Sequence, residues 1–204
     1  MVGDDNSFIA ALTALWPWEA LAVALAITYL LLAIRQNPWC WPAAIASAGI
    51  YVALMLGAGL YMQSALQLFY IAMAIYGWWN WRGGDDGTVP AVVSWRAADH
   101  VRPLAVIAVA GGLAGWALHQ WTDAAWPWLD ALIACGAIVT TWMVARKVLQ
   151  NWHYWFVIDA ASAWLYAHQG LWLTAGLFVF YLVLIVIGYR DWKSSMAKPE
   201  PAGA

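Results

Sequence analysis

Gly59-Leu60-Tyr61, followed by Leu66, Tyr70, Gly77 and Trp81-Arg82, is written a second time 111 residues later as Gly170-Leu171-Trp172, Leu177, Tyr181, Gly188 and Trp192-Lys193. A fixed offset held over so many positions marks a duplicated supersecondary unit. Two shorter echoes extend the copy toward the N-terminus. Trp16-Pro17-Trp18-Glu19 returns as Trp126-Pro127-Trp128-Leu129-Asp130, and Asn37-Pro38-Trp39-Cys40-Trp41 returns as Asn151-Trp152-His153-Tyr154-Trp155. The duplicated blocks cover residues 16–82 and 126–193, each holding three apolar segments.

The composition decides where those segments reside. Of 204 residues 65% are hydrophobic and only 10% charged, too few charges to coat a soluble globule of this size, so the chain reads as an all-α, polytopic membrane protein. Seven candidate spans follow, each near the ~20 residues needed to cross a ~30 Å hydrocarbon core. They run from Pro17 to Ile34, Trp39 to Gly57, Leu60 to Trp81, Val101 to Gln120, Pro127 to Ala145, Trp152 to Ala167 and Leu171 to Tyr189. Residues 1–15 form an extracytoplasmic segment, acidic where a secretory signal requires a basic start, and residues 194–204 a polar, disordered tail. No basic block is present, so nucleic acid is not expected as a partner. Cys40 and Cys135 read as packing residues, and no metal or cofactor motif occurs.

With seven spans, the loops on one side contain Arg35, Arg82, Arg96, Arg102, Arg146, Lys147, Arg190, Lys193 and Lys198, which is every basic residue in the chain. The positive-inside rule therefore puts the N-terminus outside and the C-terminus in the cytoplasm. Tryptophans at the span ends read as interfacial belts: Trp16, Trp18, Trp121, Trp126, Trp128 and Trp172 outside, and Trp39, Trp41, Trp79, Trp81, Trp152 and Trp192 inside. A triplet repeated head to tail would arrive upside down in the bilayer. The fourth span, residues 101–121, turns the second copy over and makes the two triplets parallel. Three plus one plus three helices in parallel pseudo-repeat is a carrier arrangement, with the solute held between the halves near the midplane. Gly111-Gly112 and Gly115 in that fourth span read as close helix packing. The loop 83–100 reads as a plain cytoplasmic linker with a short surface-lying segment.

The sixth span carries the chemistry. Trp155, Asp159, Ser162 and Tyr166 fall at i, i+4, i+7 and i+11, so one stripe offers an aromatic plane, a carboxylate and two hydroxyls. An acid at membrane depth faces a cavity or the bundle interior, and apart from Arg102 at the very edge of the fourth span no Lys or Arg lies within a span to neutralise it. A flat cationic solute fits that stripe, with Trp155 adding cation–π attraction. The alternative for Asp159 is a structural hydrogen bond to a neighbouring helix. Aligning the two Asn-initiated echoes places Ile45 and Ala48 where the second copy has Asp159 and Ser162, so the polar load sits on one half. Trp152 joins Trp155 as a stacking candidate. Asn151, Gln67 and Thr140 are candidates to read hydroxyls or a carboxamide, and Tyr70 and Trp78 line the third span's stripe. Asn80 suits either the site or a helix cap.

On Tyr70-Ile-Ala-Met-Ala-Ile-Tyr-Gly-Trp-Trp-Asn-Trp81, on Asn151-Trp152 with Trp155 and Asp159, and on Gly170-Leu171-Trp172-Leu173-Thr174 through Ile187-Gly188-Tyr189-Arg190-Asp191-Trp192, the chain resembles the PnuC family of bacterial vitamin transporters. The resemblance implies a SWEET-like seven-helix fold, a homotrimer, and facilitated diffusion of nicotinamide riboside, trapped in the cytoplasm by a kinase that phosphorylates it. Related branches take thiamine or other B vitamins. The readings from other classes are an intramembrane enzyme acting on a lipid, which lacks the paired acids or metal ligands such chemistry needs, and a structural or receptor-like membrane protein. No enzymatic activity is expected.

Overall fold

In the computed structural model, residues 4–57, 61–84, 87–122, 126–168 and 172–197 are described, the side chains of 4–16, 61–63, 65, 173 and 174 excepted. The acidic residues at 85 and 86, residues 58–60, 123–125 and 169–171, the side chain of Trp16 and the residues from 198 lie outside the described residues. The described residues form α1 (Asp4–Ile34), α2 (Cys40–Gly57), α3 (Tyr61–Trp81), a 3-10 turn (Ala97–His100), α4 (Val101–Trp121), α5 (Pro127–Ala145), α6 (Asn151–His168) and α7 (Trp172–Met196). A helix satisfies every backbone polar group within its own segment, which is what an apolar chain in hydrocarbon requires.

Five of these helices are long and apolar enough to cross a membrane: α1 from Pro17, α2, α4 with its 3-10 turn, α5, and α7 from Ala175. Among the described residues α3 and α6 are not in that set, and they are the helices on which the sequence places the polar and aromatic stripes. Two ends differ from expectation. Pro17 lies inside α1 and does not open it. At the other end α7 continues to Met196, because Trp192 is fully buried and the helix must persist to carry it there. Beyond it, the hydroxyls of Ser194 and Ser195 donate to the carbonyls of Asp191 and Trp192 at 2.8 and 2.7 Å.

The chain forms two compact units, residues 1–88 and 89–204. In the first, α2 packs on both α1 and α3, and Ser47 of α2 donates across to the Ala22 carbonyl of α1 at 2.8 Å. In the second, α4 packs on α5, α5 on α6 and α6 on α7. The glycines of α4 do what their spacing implies: a Cβ at Gly111 would meet Leu132, and one at Gly115 would meet Trp128.

The repeat is visible in local geometry, unit by unit. α1 ends with Gln36 at φ 54° and α5 with Lys147 at φ 51°, 111 positions on. Gln36 and Asn37 donate to the carbonyls of Ala33 and Leu32 at 3.0 and 2.9 Å, and Lys147 and Val148 donate to those of Val144 and Met143 at 2.9 and 3.0 Å. Both are Schellman endings with a non-glycine residue in the left-handed position. Next, Trp41 meets Trp81 edge-on at 5.3 Å and 83°, while Trp152 meets Trp192 edge-on at 5.4 Å and 90°. The Trp41 ring lies against Gly77 and the Trp152 ring against Gly188, closer than a Cβ would permit.

Two readings are corrected by this. The second helices align at the offset of 111, pairing Trp41 with Trp152 and not with Trp155, so Asp159 and Ser162 correspond to Ala48 and Tyr51. The identity of Asn37 and Asn151 that suggested the other register is coincidental. In addition, Trp41, Trp81, Trp152 and Trp192 are core residues and not interfacial anchors, whereas Trp39 and Trp79 are exposed as a belt requires.

Candidate functional site

The candidate site is built on α6, and its first turn is held from outside the helix. The segment after Val89 is not a plain linker. Val93 pairs in parallel with Val148: its N–H donates to the Lys147 carbonyl at 3.0 Å, and its own carbonyl accepts from Leu149 at 2.8 Å. Gln150 completes the clasp. Its amide nitrogen donates to Ser94 Oγ at 2.7 Å and to the Trp95 carbonyl at 3.1 Å, while its Oε1 accepts from the Trp95 N–H at 3.0 Å. One turn on, Tyr154 Oη lies 2.9 Å from His100 Nδ1 with the two rings stacked. The strap 93–100 thereby fixes the start of the helix that carries Asp159. Replacing Gln150 with alanine removes three bonds at about 1 kcal/mol each, partly recovered by water. The expected result is faster hydrogen exchange over residues 93–100, read by mass spectrometry, with α7 unchanged.

Along α6 the middle of the stripe is buried and its two ends are half-exposed. Asp159 and Ser162 are buried, whereas Trp155 and Tyr166 are half-exposed, Tyr166 stacking on Phe178 of α7 at 5.4 Å and 21°. Among the described residues Asp159 has neither an ion-pair nor a hydrogen-bond partner, and it is the one buried carboxylate. A buried carboxylate left unpaired is costly, which makes it the feature in need of a counterpart.

The remaining candidates divide. Asn151 is fully buried; its Nδ2 donates to the Val148 carbonyl at 2.7 Å and its Oδ1 has no partner among the described residues. Trp152 is packed against Gly188 and Trp192, which leaves Trp155 as the accessible indole of the pair. Thr140 of α5 is fully buried and donates to the Gly136 carbonyl at 2.7 Å, so only its oxygen lone pairs remain for a solute. In the first unit, Gln67 and Tyr70 are half-buried on α3. Trp78 holds the Arg82 guanidinium 4.8 Å above its ring and meets Trp39 edge-on. Asn80 lies on the last turn of α3, where its carbonyl accepts from Gly83 at 3.2 Å. Sequence reading did not single out Ser94, Trp95, Gln150 or Tyr154. The available signal was the β-branched run Val92-Val93 just before Ser94-Trp95, but its pairing partner lies 55 residues away.

An apolar helical chain with an internal repeat and an acid buried on one helix without a partner among the described residues has the character of a membrane carrier. The chain belongs to the nicotinamide mononucleotide transporter family, whose model matches residues 16–194. It is similar to the riboflavin/roseoflavin transporter RibM of Streptomyces davaonensis, 31% identical over 82% of this chain and 80% of that one. It is also similar to the nicotinamide riboside transporter PnuC of Escherichia coli strain K12, 24% identical over 67% of this chain and 68% of the other. Among solved structures, the crystal structure of the vitamin B3 transporter PnuC superposes with a TM-score of 0.70 at 20% identity, covering 96% of this chain and 88% of that one, which shows a shared fold.

Proposed function

We propose that the protein is an inner-membrane uniporter for a flat, cationic, hydroxylated vitamin, with nicotinamide riboside the leading cargo and thiamine the alternative of the same charge class. The carrying observation is Asp159, buried with no charge partner among the described residues. In this reading the pyridinium or thiazolium ring supplies the missing cation, Trp155 adds cation–π attraction, and Ser162, Tyr166, Thr140 and Asn151 on the second unit read ribose or amide groups; Gln67, Tyr70 and Asn80 offer the same chemistry on the first unit. Trp152 acts from behind by fixing the first turn of α6, and Trp78 by stacking in the first unit. All seven helices span the bilayer in a three-plus-one-plus-three order, with the N-terminus outside and the C-terminus in the cytoplasm. The protein assembles as a homotrimer and does no chemistry on its cargo, which a cytoplasmic kinase traps. With one buried carboxylate among the described residues there is no relay for protons, so transport runs down the solute gradient.

A second reading, an uncharged flavin cargo, is favoured by the 31% identity to a riboflavin transporter. Calorimetry with nicotinamide riboside, thiamine, riboflavin and their phosphates separates the two, and radiolabelled flux into proteoliposomes tests carriage itself. Exclusive binding of riboflavin would overturn the cationic reading, and uptake that collapses with the proton gradient would overturn uniport. Within the cationic reading, Trp155→Ala is expected to weaken binding by about 1–2 kcal/mol, roughly five- to thirtyfold, while Trp155→Phe retains part of the attraction. Equal affinity of both variants for nicotinamide riboside would remove Trp155 from the site.

A further inference from the structure

An apolar groove of about 540 Å³ opens on the second unit, walled by Leu104 and Ile107 of α4, Leu132 and Gly136 of α5, and Val157 and Ala161 of α6. Its one polar end is formed by His100, His153 and Tyr154. His100 immediately precedes α4 and the other two lie in the first turn of α6, so this end is the basic end of both helices. Ala161 is eight residues beyond His153, about 12 Å further along α6. The groove thus runs from a polar rim into the apolar depth of the helix bundle.

Cations are linked to that rim through chains of ring contacts. The His153 ring lies 4.8 Å from that of Tyr189, which carries the Lys193 ammonium at 5.7 Å. The His100 ring lies 5.5 Å from Trp95, which contacts Trp142 at 5.9 Å, and Trp142 carries the Arg146 guanidinium at 5.7 Å. Arg102 is exposed on the first turn of α4. Two acids stand near: Asp99, whose carboxylate already accepts from the Arg96 N–H at 2.8 Å, and the exposed Asp191. The balance at the rim is positive.

We propose that this groove seats an anionic phospholipid, one acyl chain lying between α4 and α6 and the phosphate headgroup at the rim between His100, Tyr154 and His153. The walls offer no polar group below the rim, so a polar solute would lose its hydration there without replacement. An alkyl chain gains dispersion contacts from three helices where a flat helix surface would give it contacts on one side. The basic rim complements a phosphate, as basic pockets between transmembrane helices do for anionic headgroups. Because Tyr154 belongs to the turn that the strap clasps, a bound lipid also braces the start of α6.

Native mass spectrometry of the full-length protein, titrated with phosphatidylglycerol or with phosphatidylcholine of the same chain length, tests this through lipid adducts and oligomeric state together. The expected result is a retained phosphatidylglycerol adduct, lost in Val157→Trp, which fills the groove from the exposed wall of α6. Arg102→Gln lowers the preference for phosphatidylglycerol over phosphatidylcholine about fivefold, the equivalent of one basic residue at a membrane surface. Ile107→Trp fills the same space from α4 and stands in should Val157→Trp not fold. Adducts that persist in a folded groove-filling variant overturn the proposal. So does a filled groove that changes the oligomeric state and leaves lipid binding intact, which would assign the groove to a second copy of the chain.

Discussion

Asp159→Asn is expected to weaken binding of nicotinamide riboside or thiamine about thirtyfold, to leave an uncharged ring such as that of riboflavin within a factor of about two, and to raise the thermal stability of the unliganded protein. The first effect follows from losing one member of a buried charge pair, worth about 2 kcal/mol at the lower end of measured cases. Asparagine keeps the shape and one carbonyl acceptor, so packing is preserved and only the charge is removed. The third effect has the opposite sign and comes from the same cause. A carboxylate at membrane depth costs about 2.5–3.5 kcal/mol on insertion scales, and without ligand Asp159 has no partner among the described residues to offset it. Part of that penalty disappears in the amide. A structural acid would behave otherwise: removing it would lower stability, and affinity only through misfolding. Calorimetry and thermal unfolding on the same preparation distinguish the cases. A parallel fall in both quantities, or unchanged affinity for every cationic solute, would take Asp159 out of the site. If riboflavin alone binds, and Asp159→Asn binds it better, the flavin reading replaces the cationic one.

How much of this could be read beforehand depended on the range of the interactions. α5 was legible to the residue, Pro127 to Ala145, because proline at its start and a charge after its end are both local signals. At α1 the apolar run marks the membrane-crossing stretch, Pro17 to Ile34, but not the start of the helix, which continues through Pro17 from Asp4. The offset of 111 was readable from glycines and aromatics, yet the register of the second helices was not. The matched backbone there sits on Gln36 and Lys147, two residues whose chemistry says nothing about a positive φ. The stripe of Asp159 and Ser162 followed from helical periodicity alone and is buried as a stripe. Which indole of Trp152 and Trp155 is accessible did not follow, since a glycine on another helix decides it. The strap was hidden for the same reason: Gln150 reaches Ser94 and Trp95 across a long stretch of chain, and no local pattern encodes that pairing.

That glycine carries the second large effect. In Gly188→Ala the added methyl would overlap the benzo edge of Trp152. The ring has nowhere to go, being 2% exposed and held edge-on by Trp192. The relief is therefore separation of α6 from α7, and the cost is at the upper end of the 1–3 kcal/mol typical of overpacking, about 3 kcal/mol. Gly77→Ala presses on Trp41 in the same way, where Trp81 holds the ring, so equal losses are expected in the two units. Gly176 supplies the control, for a Cβ there meets nothing within 4 Å, and alanine should be neutral or gain up to about 1 kcal/mol of helix propensity. For a chain of this length 3 kcal/mol corresponds to a fall of roughly 6–12 °C in melting temperature, well resolved by thermal unfolding in detergent. Pairing Gly188→Ala with Trp152→Phe trims the ring where the methyl enters, and the double variant should be more stable than the sum of the two single losses allows. If Gly188→Ala instead melts like Gly176→Ala, the indole is mobile. Trp152 is then as free as Trp155 to stack on a solute, and the division of labour between the two tryptophans of α6 has to be redrawn.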